Sequence, residues 1–152
     1  MRVFCRAFLL FVCVFALCAC ENFEATRANG DIDFNFITAE EVAAIVRENK
    51  DEYAIIDIQP EDAFDKAHLK GAVSTGAYPV KSNEAKQRVK IALQQVLPGQ
   101  KIIIVCPRGG GGAKNTVLYY NRKLGVDNSR LFILQNGQEG WPENLDDVLE
   151  QQ

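Results

Sequence analysis

Short apolar runs alternate with amphipathic segments through most of the chain. Three apolar runs, at 53–58, 101–105 and 131–134, are bounded by polar or glycine-containing segments and predict buried strands. Apolar residues recur at helical spacing over 83–97 and 113–124. Because strands and helices alternate, the pattern predicts a single α/β domain, with a parallel sheet and helices on both of its faces.

The ends of several predicted elements carry local signals. Thr38 and Glu41 fit a capping box that begins a helix. Pro60 fits the first position of a short helix over 60–67. The remaining elements expected from the pattern are a short strand at 71–73, a loop over 74–79 and a C-terminal helix over 143–152.

The strand predicted at 101–105 leads into Cys106, Pro107, Arg108 and four consecutive glycines. Unpaired amide N–H groups at a strand-to-helix junction can converge on one point, and the helix dipole adds partial positive charge there. This environment favours a cysteine thiolate, and Arg108 adds a permanent cation two residues away. Cys106 is therefore a candidate nucleophile. The alternative is a buried core cysteine followed by a flexible loop, since free cysteine is among the most buried residue types.

This loop and three other segments resemble, in the same order along the chain, those of the rhodanese family of sulfurtransferases. The three segments are Ile55-Ile56-Asp57-Ile58-Gln59-Pro60, His68-Leu69-Lys70-Gly71-Ala72-Val73 and Leu131-Phe132-Ile133-Leu134-Gln135-Asn136-Gly137-Gln138-Glu139-Gly140-Trp141-Pro142. They resemble the family's strand ending in Asp-Val-Arg, its Gly-His-Ile-Pro-Gly-Ala segment and its closing Leu-x-Gly-Gly-x-x-x-Trp signature. The resemblance spans residues 36–142.

The resemblance implies a rhodanese-like domain over 36–152 with the activity of a thiosulfate sulfurtransferase. A donor such as thiosulfate would deliver its outer sulfur to Cys106, and cyanide or a thiol would remove that sulfur from the persulfide. The implied substrate-binding residues are Arg108, Gly109, Gly110, Gly111, Gly112 and Ala113. Their backbone amides would surround the bound sulfur. This chemistry requires no metal or organic cofactor.

Asp57 and His68 are the implied supporting residues. Asp57 lies near the end of its strand, where capping of turn amides is favoured over a role at the ligand crevice. For His68, positioning of a turn is favoured over a catalytic cysteine–histidine pair. A metal site is discounted, because His68 is the only histidine and no paired cysteine accompanies it.

Two features of the sequence depart from the family pattern. The family's loop commonly holds an arginine four or five residues after its cysteine, where this chain has Gly111 and Gly112, and Gln59 stands where many relatives carry arginine. A loop counted to Gly112 matches the longer version of related phosphatases, but glycine cannot clamp phosphate. A Walker phosphate loop is excluded because Ala113-Lys114-Asn115 replaces Gly-Lys-Ser/Thr. The absent arginine keeps open a non-catalytic module that carries sulfur or binds a partner.

Residues 1–19 are predicted to be a targeting segment separate from the fold. Arg2 and Arg6 supply a positive segment before an uncharged stretch over 7–19, which is shorter than a membrane span of about 20 residues. The sequence Leu17-Cys18-Ala19-Cys20 resembles a bacterial lipobox, which implies cleavage before Cys20 and lipid attachment to its sulfur. Residues 20–35 would then form a lipidated tether. The alternative is an ordinary secretory signal that is cut nearby.

A lipid on Cys20 would place the protein at the cell envelope, facing the periplasm. Glu21 after that site indicates the outer membrane, by resemblance to lipoprotein sorting in Gram-negative envelopes. Three of the five cysteines would leave with the signal: Cys5, Cys13 and Cys18. Cys106 would then be the one free thiol of the mature chain. Its exposure to an oxidising compartment favours a functional role.

Composition further limits the classes of partner that the protein is expected to bind. With 152 residues, of which 47% are hydrophobic and 24% charged, the chain can bury one core. The net charge of −3 and the absence of a basic stripe with interleaved aromatics argue against nucleic acid. The expected partners are a small-molecule sulfur donor, a thiol or cyanide acceptor, and the membrane that holds the Cys20 lipid.

Overall fold

The computed structural model describes residues 32–151. The predicted signal segment over 1–19, the lipidation site Cys20 and the tether up to residue 31 lie outside the described residues. No helix within 32–151 is long and apolar enough to cross a membrane.

Seven strands and four helices make up the described domain. In chain order they are β1 (Asn35–Ile37), α1 (Ala39–Arg47), β2 (Tyr53–Asp57), α2 (Glu61–Lys66), β3 (His68–Leu69), β4 (Val73–Ser74), α3 (Asn83–Leu93), β5 (Lys101–Val105), α4 (Gly111–Leu124), β6 (Leu131–Leu134) and β7 (Leu149–Glu150). Five strands form a parallel sheet in the order β1-β6-β5-β2-β4, and β3 pairs with β7 in an antiparallel ribbon. The predicted α/β class and parallel sheet are confirmed.

Alternation along the strands divides the core between the two faces of the sheet. Ile102 and Ile104 of β5 pack in the cluster that contains buried residues of α3 and α4. Ile103 and Val105 pack in the other cluster, with buried residues of α1 and of the 310 turn at 143–148. Successive residues at the end of a strand therefore point to opposite faces. This rule decides which side chains can meet at the candidate site.

Both ends of the described domain differ from the sequence-based expectation. β1 was not predicted, and it pairs in parallel with β6 at the edge of the sheet. The predicted C-terminal helix is wrong, because residues 143–148 form a 310 turn and Leu149–Glu150 is a strand. Leu145 and Val148 are buried, and Arg47 makes two hydrogen bonds to the Asp147 carboxylate at 2.8 and 2.6 Å. These long-range contacts outweigh the weak helical preference of the segment.

Helix boundaries follow local signals, with small shifts. Thr38 and Glu41 form the predicted capping box, in which each side chain accepts from the other residue's backbone amide. Pro60 is the N-cap of α2 instead of its first helical residue. α3 ends at Leu93, four residues before the predicted end. α4 begins at Gly111, two residues before the predicted start, so part of the glycine run is helical.

Candidate active site

Cys106 follows β5 directly and precedes the loop that leads into α4. Its side chain is 1% exposed and lies in the same cluster as Ile58 and Ala113. Strand alternation explains this position, because Cys106 continues the face that carries Ile102 and Ile104. The structure thus combines the two sequence-based interpretations, since the cysteine is buried and also stands at a strand-to-helix junction.

The backbone of the loop is held by the segment that follows β6. The carbonyl oxygens of Cys106 and Pro107 accept hydrogen bonds from the amides of Gln138 and Glu139, at 2.9 and 2.8 Å. The two segments approach so closely that a Cβ at Gly137 would overlap the Cys106 carbonyl oxygen and lie 2.5 Å from the Gly109 nitrogen. Gly109 and Gly137 both have positive φ, +62° and +64°.

The carbonyls of Cys106 and Pro107 are the ones that bond to this segment, and the amides further along the loop have no protein acceptor. Within residues 32–151, no backbone N–H from Arg108 to Ala113 donates a hydrogen bond to another protein group. Three of these residues, Gly111 to Ala113, open α4, where amides have no intrahelical partner and the helix dipole is positive. The predicted glycine-rich segment therefore presents a set of donors next to the cysteine in the chain.

Arg108 does not complete this set with its side chain. Its guanidinium is 71% exposed, and its Nη1 lies 4.0 Å from the Glu139 Oε2, itself on a 59% exposed side chain. The side chain is thus drawn toward the neighbouring turn at the surface. The binding role that the family resemblance implied for Arg108 stays a prediction, and its backbone amide has no acceptor among the described residues.

Tyr78 is a site residue that the sequence pattern did not identify. A Cβ at Gly112 would lie 2.7 Å from both Cδ2 and Cε2 of the Tyr78 ring, so the ring occupies the space above the first turn of α4. The Tyr78 amide donates to the Ile58 carbonyl at 2.8 Å, which fixes its loop to the end of β2. The sequence indicated only that the 74–79 loop would border the site. The specific contact depends on the order of β5, β2 and β4 in the sheet.

Asp57 lies on the opposite face of the sheet from Cys106. It pairs in register with Val105, so both side chains belong to the face of α1. The buried carboxylate accepts from the Gln59 amide at 2.8 Å and from the Gln59 Nε2 at 3.0 Å. Burial raises the pKa of Asp57 to about 6, while the Gln59 hydrogen bonds and the charge of His68 act in the lowering direction. This carboxylate caps the turn after β2.

His68 also lies away from the cysteine loop, in the β3–β7 ribbon. Its Nδ1 lies 2.8 Å from the Phe64 carbonyl oxygen, and its Nε2 lies 3.2 Å from a Glu150 carboxylate oxygen. The imidazole stacks on the Phe64 ring with a centroid distance of 3.7 Å. These contacts join α2 to the C-terminal strand. The geometry gives His68 a positioning role in the fold and no contact with Cys106.

The buried Asp57 carboxyl predicts a pH dependence of stability. The folded protein holds this proton up to about pH 6, whereas the ordinary pKa of an aspartate side chain is 3.8. The protonated Asp57 carboxyl therefore contributes fully to the free energy of unfolding below pH 3.8. This contribution is lost as the pH rises through about 6. In urea unfolding, the advantage of wild type over Asp57→Asn should fall by about 2 kcal/mol between pH 4 and 7. A constant difference between the two proteins would contradict this assignment.

Comparison with known proteins agrees with the architecture. Residues 38–144 match the family model of the rhodanese-like domain. A rhodanese-like domain protein from Staphylococcus aureus is 20% identical, with 78% of this chain and 99% of that chain covered and a TM-score of 0.54. The As-Sb reductase from Leishmania major is 18% identical, with 76% and 81% covered and a TM-score of 0.56. A yeast protein tyrosine phosphatase of the rhodanese family is 15% identical, with 74% and 86% covered and a TM-score of 0.54.

A comparison with curated proteins gave no match. The structural similarities, at these identities, show a shared fold, and two of these proteins are named for different activities, a reductase and a phosphatase. The family match itself extends over most of the chain and includes β2, the Cys106 loop and the segment that holds it. The chain therefore belongs to the rhodanese-like domain family.

Proposed function

We propose that this protein is a sulfurtransferase that carries sulfane sulfur as a persulfide on Cys106. The observation that carries the proposal is the run of loop amides, Arg108 to Ala113, that donate to no acceptor within the described domain. These donors adjoin a cysteine at the start of a helix, where a thiolate and a bound anion are both favoured. Cys106 itself supplies the nucleophile, so no other side chain of the loop is required for that role.

The proposed reaction proceeds in two displacements at sulfur. The Cys106 thiolate attacks the outer sulfur of the donor, a new S–S bond forms, and the bond between that sulfur and the rest of the donor breaks. The leaving group departs with the bond's electron pair, as sulfite from thiosulfate or as a thiolate from a persulfide. Cyanide or an acceptor thiolate then attacks the outer sulfur and restores the Cys106 thiolate. The loop amides would stabilise the negative charge throughout.

A phosphatase activity, as named for one of the structural neighbours, is less well supported by the geometry. A phosphoryl group is best held by a bidentate arginine. Gly112 offers no side chain, and the Tyr78 ring fills the space that one would need. Arg108 is directed toward Glu139 at the surface. The described site therefore supports binding of an anion by backbone amides without a guanidinium clamp.

We further propose that the reaction takes place at the cell envelope. The support is the order of segments at the start of the chain. Arg2 and Arg6 precede an uncharged stretch over 7–19, and this stretch ends in the lipobox-like sequence Leu17-Cys18-Ala19-Cys20. A small-molecule donor and a thiol acceptor would then be drawn from the compartment that faces this membrane.

The proposal is tested by the intact mass of the purified protein. The protein is incubated with thiosulfate or, in parallel, with cysteine persulfide, and then with cyanide. We expect a gain of one sulfur atom from at least one donor and its loss on addition of cyanide. If neither donor adds sulfur while Cys106 still reacts with iodoacetamide, the domain is better described as a binding module, and the enzyme proposal is wrong.

A further inference from the structure

The basic side chains of the Cys106 loop and of the first turn of α4 contact groups outside the loop. Arg108 lies beside Glu139, with 4.0 Å between Nη1 and Oε2. The Lys114 Nζ lies over the Phe34 ring, 5.2 Å from its centroid. Anion binding in this segment therefore depends on backbone N–H groups, which are neutral dipoles.

The Tyr78 ring forms an apolar wall over the same turn. It packs against the cluster that contains Cys106, and it stands where a side chain at position 112 would project. Hydrogen bonds at Tyr78 and at Pro79 fix the backbone that carries this ring. The Tyr78 amide donates to the Ile58 carbonyl at 2.8 Å, and the Asn115 Nδ2 donates to the Pro79 carbonyl at 3.0 Å. The ring thus occupies space that a charged side chain would need in order to reach a bound donor from this turn.

These features set the charge that the site can accept. Cys106 is 1% exposed, so a donor that reaches its sulfur loses most of its water. A single negative charge can be matched by several N–H donors. The described contacts pair Arg108 with Glu139 and Arg88 with the Gly76 carbonyl, so a second charge on the same group is matched only if one of these guanidinium groups leaves its partner. Burying an unpaired charge is costly.

We propose that the site selects donors whose reacting group carries one negative charge, namely organic persulfides, over dianions such as thiosulfate, and that Tyr78 is a specificity-determining residue. The inference rests on the proposed sulfurtransferase function. In the favoured reaction, the Cys106 thiolate attacks the terminal sulfur of R–S–S⁻ and the S–S bond breaks. The departing R–S⁻ takes a proton from water, and the outer sulfur remains on Cys106 as a persulfide anion.

Gly111 offers a position at which the missing charge can be added. A Cβ there meets no atom within 4 Å, in contrast to the blocked position at Gly112. Gly111→Arg introduces a cation at the first residue of α4, and Gly111→Gln introduces a long polar side chain without the charge. Rates of sulfur loading onto Cys106 are measured by mass spectrometry with thiosulfate and with cysteine persulfide. We expect Gly111→Arg to load from thiosulfate at least about 10-fold faster than Gly111→Gln, with less than about a 3-fold difference for the persulfide.

Tyr78 is tested in parallel by two substitutions. Tyr78→Ala should lower the preference for persulfide over thiosulfate by about 5-fold or more, because water enters the space of the ring. Tyr78→Phe keeps the apolar wall and should leave this preference within about 2-fold of wild type. Equal thiosulfate rates in the two Gly111 variants, or an unchanged preference in Tyr78→Ala, would overturn the inference. Failure of both donors to load wild-type protein would instead refute the sulfurtransferase proposal.

Discussion

Cys106→Ser is expected to reduce sulfur transfer from donor to cyanide by at least about 1000-fold. The serine hydroxyl is similar in size to the thiol, but it is not ionised near neutral pH and forms no persulfide. Turnover is measured as thiocyanate formed from cyanide, with the donor that loads wild-type protein fastest. Because the sulfur carries the transferred atom covalently, no other described group is expected to compensate. Turnover equal to that of wild type would refute the mechanism.

The stability of Cys106→Ser serves as its control. The side chain lies in an apolar cluster, so a hydroxyl there should cost about 1 to 3 kcal/mol of unfolding free energy. Turnover is therefore compared under conditions in which circular dichroism shows both proteins to be folded. Loss of activity in a folded variant identifies the chemical role of the sulfur, whereas loss caused by unfolding would coincide with the thermal transition.

Gly137→Ala is expected to lower the free energy of unfolding by about 3 kcal/mol or more. A Cβ at this position would overlap the Cys106 carbonyl oxygen and approach the amides of Gly109 and Arg108 to 2.5 and 2.6 Å. These are backbone atoms, so the contact cannot be relieved by rotating a side chain. The loop would have to separate from the segment after β6, which would break the hydrogen bond from the Gln138 amide to Cys106. Urea unfolding measures the loss.

Gly71→Ala is the matched control for this change. Gly71 also has a positive φ, +76°, but a Cβ there meets no atom within 4 Å. Its cost should be limited to the unfavourable backbone conformation, about 1 to 2 kcal/mol. The difference between the two variants isolates the close approach of the two backbones. Equal costs for both would show that the cysteine loop tolerates displacement from Gly137.

Much of the fold could be predicted because its signals are local. Apolar runs predicted buried strands at the positions of β2, β5 and β6, and the Thr38–Glu41 capping box predicted the start of α1. β1 and β7 carried no comparable signal, since each is short and is stabilised by a partner distant in the sequence. Pairing of β7 with β3, together with the contacts of Asp147, replaced the helix that composition had indicated for the C-terminus.

The candidate site also combines features that local sequence signals predict with features that depend on contacts between distant residues. That Cys106 ends a strand and precedes a glycine-rich helix start follows from the sequence, because strand, cysteine and glycines are contiguous. The neighbours of Cys106 depend on the tertiary structure. Strand alternation and register placed Asp57 on the opposite face, and the order of the strands brought Tyr78 over Gly112. The segment after β6 donates hydrogen bonds to the Cys106 and Pro107 carbonyls, while the amides from Arg108 to Ala113 have no acceptor within the described domain. Such contacts join residues far apart in the chain, and local periodicity carries no information about them.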